Sequence, residues 1–297
     1  MNALGLRISL LALVAVGLSL AGCGGSDDTP PRRPRTAKTE HGDKTPGDKT
    51  AKTEGGETPV VTEGWGTLTG RFVVVGTVPE PGELVISQDK PYCDPFKASG
   101  DLRKETVIVS PKNELKNVVV YLARKPDRVH DDYKKAEAAE VVLDNHKCRF
   151  EPHIRPLRTT QTLRIKNSDT VGHNTKYDSF NSENVFNELI PAGSPGVTKR
   201  LPKEERYPTP YGCNVHPWMR GYLVLLSHPY MAVSGDDGNF EIKNLPAGEL
   251  EFQFWHEVPG GLEIGDWKRG RTKIVIKPGE ATDLGEIKVP AEKLKGA

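Results

Sequence analysis

The chain has almost no net charge, few sulfur residues and no apolar run long enough to span a bilayer, and each shortage excludes something. Lys and Arg number 41 against 40 Asp and Glu, with no basic tract. A nucleic acid therefore finds no electrostatic footprint here and is excluded as a partner. Aromatic residues are absent from Gly24 to Glu63. That stretch is rich in Thr, Lys, Glu, Gly and Pro, repeats Thr36-Ala37-Lys38-Thr39-Glu40 as Thr50-Ala51-Lys52-Thr53-Glu54, and cannot bury a core. It reads as a flexible tether, averaging about 35 Å end to end on random-coil scaling.

The apolar run Ile8 to Leu20 follows a lone Arg7 and falls short of the roughly 20 residues a membrane span needs, so residues 1–22 read as a signal peptide. Leu20-Ala21-Gly22-Cys23 resembles the lipobox of bacterial lipoproteins. The resemblance implies that Cys23 is lipidated and that the chain is exported and anchored to the cell envelope, with 23–63 as lipidated cysteine and linker.

From Trp65 onward the pattern is β. Thr67 to Val75, Glu83 to Ile86, Thr106 to Val109, Asn117 to Ala123, Gln161 to Lys166, Tyr222 to Leu226, Asn239 to Ile242, Glu249 to Trp255 and Thr272 to Ile276 are β-branched or aromatic runs. Gly, Pro, Asn and Asp punctuate them. Only Asp131 to Ala139 reads as a short helix. An all-β sandwich is expected.

There are four cysteines. With Cys23 lipidated, an oxidising compartment leaves Cys93, Cys148 and Cys213, of which one stays unpaired. Cys93 and Cys148 lie outside any ligand-like cluster and are expected to form a disulfide, leaving Cys213 as a free thiol. Around it, Gly212-Cys213-Asn214-Val215-His216-Pro217-Trp218-Met219 places a thiolate, an imidazole and a thioether on one tight loop. Soft sulfur with imidazole selects copper, and a trigonal His2Cys site with a weak axial Met is the geometry of blue-copper electron carriers. The second imidazole is His173, in Asn167-Ser168-Asp169-Thr170-Val171-Gly172-His173-Asn174.

These residues, with Phe150-Glu151-Pro152, the strand Gln161 to Lys166 and the strand Arg220 to Leu226, resemble the cupredoxin family of amicyanin and plastocyanin. The match runs from about Cys148 to Ser227, within a cupredoxin-like domain set at 64–228. The resemblance implies a Greek-key β-sandwich and one type 1 copper ion held by His173, Cys213, His216 and Met219. It also implies that Asn174 ties the two ligand loops together. His216 is expected to reach the surface through an apolar patch, with Trp218 in the docking surface for a redox protein partner. A single Cys in the loop argues against a dinuclear copper site, and no His-x-His pair supplies the clusters of multicopper oxidases. The function implied is one-electron transfer without substrate chemistry. Copper storage, delivery or sensing is the runner-up, and a metal-free structural or glycan-binding lipoprotein the third reading.

Val233 to Gly248 resembles the strand-turn-strand signature of carboxypeptidase-regulatory-like, transthyretin-like sandwiches and defines a second β module over 229–297. Asp237-Gly238 is expected to make its hairpin turn and Pro246-Ala247-Gly248 the next corner. The Gly66 to Gly76 strand is a candidate to join it. Trp255-His256-Glu257 reads as a half-buried Trp with exposed polar neighbours. His146 and His153 read as surface residues, and His228, His41 and His130 as outside any site.

Overall fold

The computed structural model describes residues 63–296. The signal-like run, Cys23 and the linker up to residue 62 lie outside the described residues. Along the chain come β1 (Trp65–Val75), α1 (Lys90–Ser99), β2 (Val119–Leu122), β3 (Glu140–His146), β4 (Arg149–Glu151) and β5 (Ile154–Arg158). Then follow β6 (Thr162–Asn167), β7 (His173–Tyr177), β8 (Phe186–Ile190), β9 (Val197–Arg200), β10 (Thr209–Gly212) and β11 (Arg220–Leu226). The last strands are β12 (Met231–Val233), β13 (Asn239–Pro246), β14 (Gly248–His256), β15 (Gly260–Gly261), β16 (Arg271–Ile276) and β17 (Ala281–Pro290).

Strand pairing sorts these into four sheets: β13-β1-β17, then β12-β2-β14-β15 with β16 on β14, then β5-β11-β10-β7-β8, then β4-β3-β6-β9. Shared cores fix how they stack. Leu68, Phe72 and Val74 of β1 meet Val120, Leu122, Phe252 and Phe254 of the second sheet in one core. The opposite face of that second sheet, through Val119, Tyr121 and Trp255, packs on Ile154, Val224 and Leu226 of the third. Leu143, Phe150, Leu163 and Ile165 of the fourth sheet close against Leu157, Tyr211, Leu223 and Leu225 of the third. Alternation at period two sends successive residues of β2 and β14 into different cores.

The third and fourth sheets form a cupredoxin-like sandwich spanning β3 to β11. β2 and β12, which flank it in sequence, pair with each other, Met231 opposite Tyr121. The sandwich is thus an insertion between two paired strands of the other module. A boundary at residue 228 does not separate the sheets, because β1 pairs with β13 and β17 and β2 with β12 and β14.

Some local expectations change. Glu83–Ile86 forms no strand; Leu84 and Ile86 are buried beside α1 without a ladder partner. Of Thr106–Val109 only Val109 bridges, to Leu115. Asp131–Ala136 is a 3-10 helix. Among the described residues the α-helix is Lys90–Ser99, which carries Pro95 in its interior. Pro91 suits its first turn, but Pro95 forfeits a helical hydrogen bond, and this hid the helix from a reading by propensity. Asp237-Gly238 turns the chain between β12 and β13, which lie in different sheets, so no hairpin forms there. Gly238 is required at that turn: its φ is +71°, and a Cβ would sit 2.5 Å from the Phe72 carbonyl oxygen.

Candidate metal centre

β10 and β11 are antiparallel neighbours, with Gly212 opposite Arg220, so Cys213 to Met219 is the loop of a hairpin. Its neck closes through Cys213 N–H to Met219 O (3.2 Å), and its turn through Met219 N–H to His216 O (2.8 Å). β7 lies on the other side of β10, which brings His173, its first residue, against the loop. The ligand atoms of His173, Cys213 and His216 all lie within 4.8 Å of one another, and all three residues are buried.

Asn174 fastens this arrangement. Its Oδ1 accepts from the Asn214 and Val215 N–H groups (2.7 and 3.3 Å), and its Nδ2 donates to Asn187 Oδ1 on β8 (2.7 Å). Its own N–H points at Cys213 Sγ (3.4 Å), as does that of His216 (3.4 Å). Burial pushes the Cys213 thiol up, but the facing imidazoles of His173 and His216 and these two N–H groups outweigh it and bring the pKa down to about 6. At neutral pH this favours the thiolate.

Each imidazole is held from behind by a carboxylate. His173 Nε2 donates to Asp169 Oδ2 (2.9 Å) and His216 Nε2 to Asp89 Oδ2 (2.8 Å). An ionised carboxylate only accepts, so each Nε2 carries a proton, and a neutral ring then keeps a lone pair at Nδ1. The two Nδ1 atoms nevertheless face each other across 2.9 Å, beside the thiolate, with His216 Nδ1 3.7 Å from Sγ. Three lone-pair donors converging in a buried site require a cation between them. In the metal-free chain a proton serves: burial pulls His173 down, yet Asp169 and the Cys213 thiolate hold it above its ordinary value. A borderline-soft metal ion fits the same donor set, and carboxylate-backed imidazoles are the usual arrangement around bound metals.

Asp169 is itself built in. Its Oδ1 accepts from the Lys147 N–H (2.6 Å) and the Tyr92 hydroxyl (3.0 Å), and its Oδ2 from the Cys148 N–H (2.9 Å). Burial alone would raise this carboxyl; His173 and the Cys148 and Lys147 N–H groups lower it below the ordinary value. Lys147 and Cys148 form the two-residue turn of the β3–β4 hairpin with φ of 54° and 57°. Such a turn normally takes Asn and Gly, and here the carboxylate collects both of its N–H groups.

Cys93 and Cys148 are joined in a disulfide with Cα atoms 5.7 Å apart, and Cys213 is the free cysteine among the described residues. Met219 is 1% exposed and shares a core with Cys213 and Trp218. The expectation of a surface-reaching His216 is corrected: it is 0% exposed, with Asp89 Oδ2 on its Nε2 and the Trp218 ring 5.0 Å away. Trp218 is half-buried, donating its Nε1–H to Cys148 O (3.0 Å).

A second polar cluster lies between the two modules. His153 is buried, not superficial, and donates through Nε2 to Glu257 Oε1 (2.6 Å), while Nδ1 is 3.6 Å from Glu105 Oε2. Glu105 also pairs with Arg149 (2.8 Å). Trp255 and His256 are buried and the Glu257 side chain is 8% exposed, so the Trp255-His256-Glu257 run is an interior feature. His228 is buried as well, and His146 pairs with Glu151 (3.0 Å) at the sandwich edge. Sequence reasoning also missed Asp89 and Asp169. Asp169 stands four places before His173 on the turn after β6, a signal that was readable; nothing in the sequence ties Asp89 to a residue so distant along the chain.

No family model and no curated protein matches the chain. Among solved structures it is similar to a purple cupredoxin from Nitrosopumilus maritimus, at 21% identity over 29% of this chain and 98% of that one, with a TM-score of 0.25. It is similar to amicyanin from Paracoccus versutus at 16% identity over 36% and 96% of the two chains, with a TM-score of 0.25. It is also similar to a copper-containing nitrite reductase from Thermus scotoductus at 17% identity over 29% and 22%, with a TM-score of 0.24. From its own sheets and its converging donors, the chain is an all-β protein in which a cupredoxin-like sandwich, joined to an additional β module, carries a candidate His-Cys-His metal site.

Proposed function

We propose that the chain is an envelope-anchored type 1 copper protein that carries one electron at a time, without substrate chemistry of its own. The observation that carries this reading is the convergence of two carboxylate-backed Nδ1 atoms and the Cys213 sulfur in one buried site. His173, Cys213 and His216 would hold the ion, and Met219 would add its thioether, the donor that favours copper over zinc. Bound copper supplies reversible one-electron redox chemistry. The residues of this chain do the rest. Asn174 keeps the ligand hairpin and β7 in register, Asp169 and Asp89 hold the imidazoles, and burial excludes water, so the donor set is preformed for either oxidation state. A lipid on Cys23 and the following tether would place this unit at the envelope, where a redox protein partner exchanges electrons with it.

Absorption and electron paramagnetic resonance spectra of the copper-loaded chain test the assignment. The expected result is an intense sulfur-to-copper band that bleaches on reduction and is lost in Cys213→Ser with the β circular dichroism intact. A coloured Cys213→Ser protein, or one copper bound without a thiolate band, would refute it.

A further inference from the structure

The ligands stand on the sandwich, but the groups that close the site come from outside its sheets. Asp89, the N-cap of α1, takes a left-handed conformation with φ 45°, which sets its carboxylate against His216 Nε2. One turn on, Tyr92 reaches Asp169, the partner of His173. The next residue, Cys93, is bonded to Cys148, whose N–H holds Asp169 and whose carbonyl holds Trp218. One short helix therefore touches the support of both imidazoles.

The exposure pattern sets the loop apart from the imidazole it carries. Val215 is 40% exposed on the ligand loop, while His216 beside it is 0% exposed. The loop is at the surface and the imidazole is under a cover. α1 has ten residues with a proline inside, and isolated helices shorter than about 12–15 residues are marginal in water. Its place depends on the disulfide and on the core it shares with Leu84, Ile86, Leu102 and Trp218.

We propose that α1 is a disulfide-fastened cover of the metal centre and that Asp89 is the positioning residue that fixes and encloses His216, so that access to Cys213 and to a bound metal ion is set by α1. The metal-release part rests on the copper reading above; the accessibility part does not.

The test uses the full chain in two arms. In the metal-free chain, alkylation by iodoacetamide is followed at Cys213 by peptide mass. In the chain loaded with Cu(I), transfer to bathocuproine disulfonate is followed by absorbance. Asp89→Ala and the double variant Cys93→Ser/Cys148→Ser should each be at least about tenfold faster than the parent in both arms. Asp89→Asn, which keeps an accepting oxygen, should restore slow rates. An Asp89→Ala chain alkylated within about twofold of the parent rate overturns the proposal, whatever the copper arm shows. A chain that takes up no copper but whose Cys213 responds as expected refutes the copper reading and upholds the cover. If the double variant does not fold, the Asp89 pair alone decides.

Discussion

His153 sits where the two modules meet, and its charge is a measurable part of what holds them. It precedes β5 in the sandwich, Glu257 follows β14 in the other module, and Glu105 lies between α1 and β2. Arg149 backs Glu105, and the Tyr222 ring stands 6.1 Å away. Burial alone would lower the imidazole, but the two carboxylates outweigh it and raise it from 6.5 to about 9. A raised folded-state value means that the folded chain holds the proton more tightly than the unfolded one. The stabilisation is therefore complete below pH 6.5, the unfolded value, and is lost as pH rises through about 9. At about 1.36 kcal/mol per pH unit the clamp contributes about 3 kcal/mol. The assay is urea denaturation of the parent and of His153→Phe between about pH 6 and 10, taken as a difference so that groups common to both cancel. The difference should shrink by about 3 kcal/mol across that range. A difference that stays constant would mean that His153 is neutral in the folded chain, and the reasoning would fail.

Three further outcomes are expected. Opening the Cys93–Cys148 disulfide, which links positions 55 residues apart, should cost about 4 kcal/mol on loop entropy; urea midpoints of the parent and the double Ser variant check it, and a loss under about 1 kcal/mol would contradict it. Asp169→Ala strands the Lys147 and Cys148 N–H groups, the Tyr92 hydroxyl and the His173 Nε2–H, so a loss of about 3–5 kcal/mol is expected by thermal denaturation. At Gly221 a Cβ would lie 2.5 Å from both the His153 carbonyl oxygen and the Tyr211 hydroxyl; Gly221→Ala should cost about 1–3 kcal/mol, and a neutral substitution would show that β11 can move.

The donors were legible because they are chemically rare. A free thiol, an imidazole and a thioether within one heptapeptide, and a His-Asn pair after a strand, stand out against any background. The groups that complete the site are ordinary residues made special by distance. Asp89 is one of many exposed acids along the chain, and only a helix disguised by Pro95 brings it to His216. Strands β1, β2, β6, β11, β13, β14 and β16 were visible through their β-branched and aromatic runs. β7 and β10, the strands that carry the site, read His-Asn-Thr-Lys-Tyr and Thr-Pro-Tyr-Gly and have no such signature. Their pairing with neighbours makes them strands. His153 and Glu257 looked superficial because polarity usually means exposure, and each is buried only because the other is there.

The domain organisation was hidden for a related reason. A boundary placed by sequence assumes that a module is one continuous segment, whereas here the cupredoxin-like sandwich leaves the other module after β2 and returns to it at β12. The clue lies in the composition of the shared sheet. β2 is buried at all four positions, Val119 to Leu122, and residues 252–256 of β14 are buried without interruption. A sheet with one wet face alternates, and a sheet covered on both faces does not. These uninterrupted runs mean that β2 and β14 face a core on each side. Val120, Leu122, Phe252 and Phe254 belong to the module they pair within, while Val119, Tyr121 and Trp255 belong to the contact with the sandwich. Separating the modules would uncover the second set and strip His153 of Glu257. The part that holds the candidate metal ligands and the part that does not are therefore structurally interdependent, and a fragment cut at residue 228 would lose β13, β14 and β17, the partners of β1 and β2.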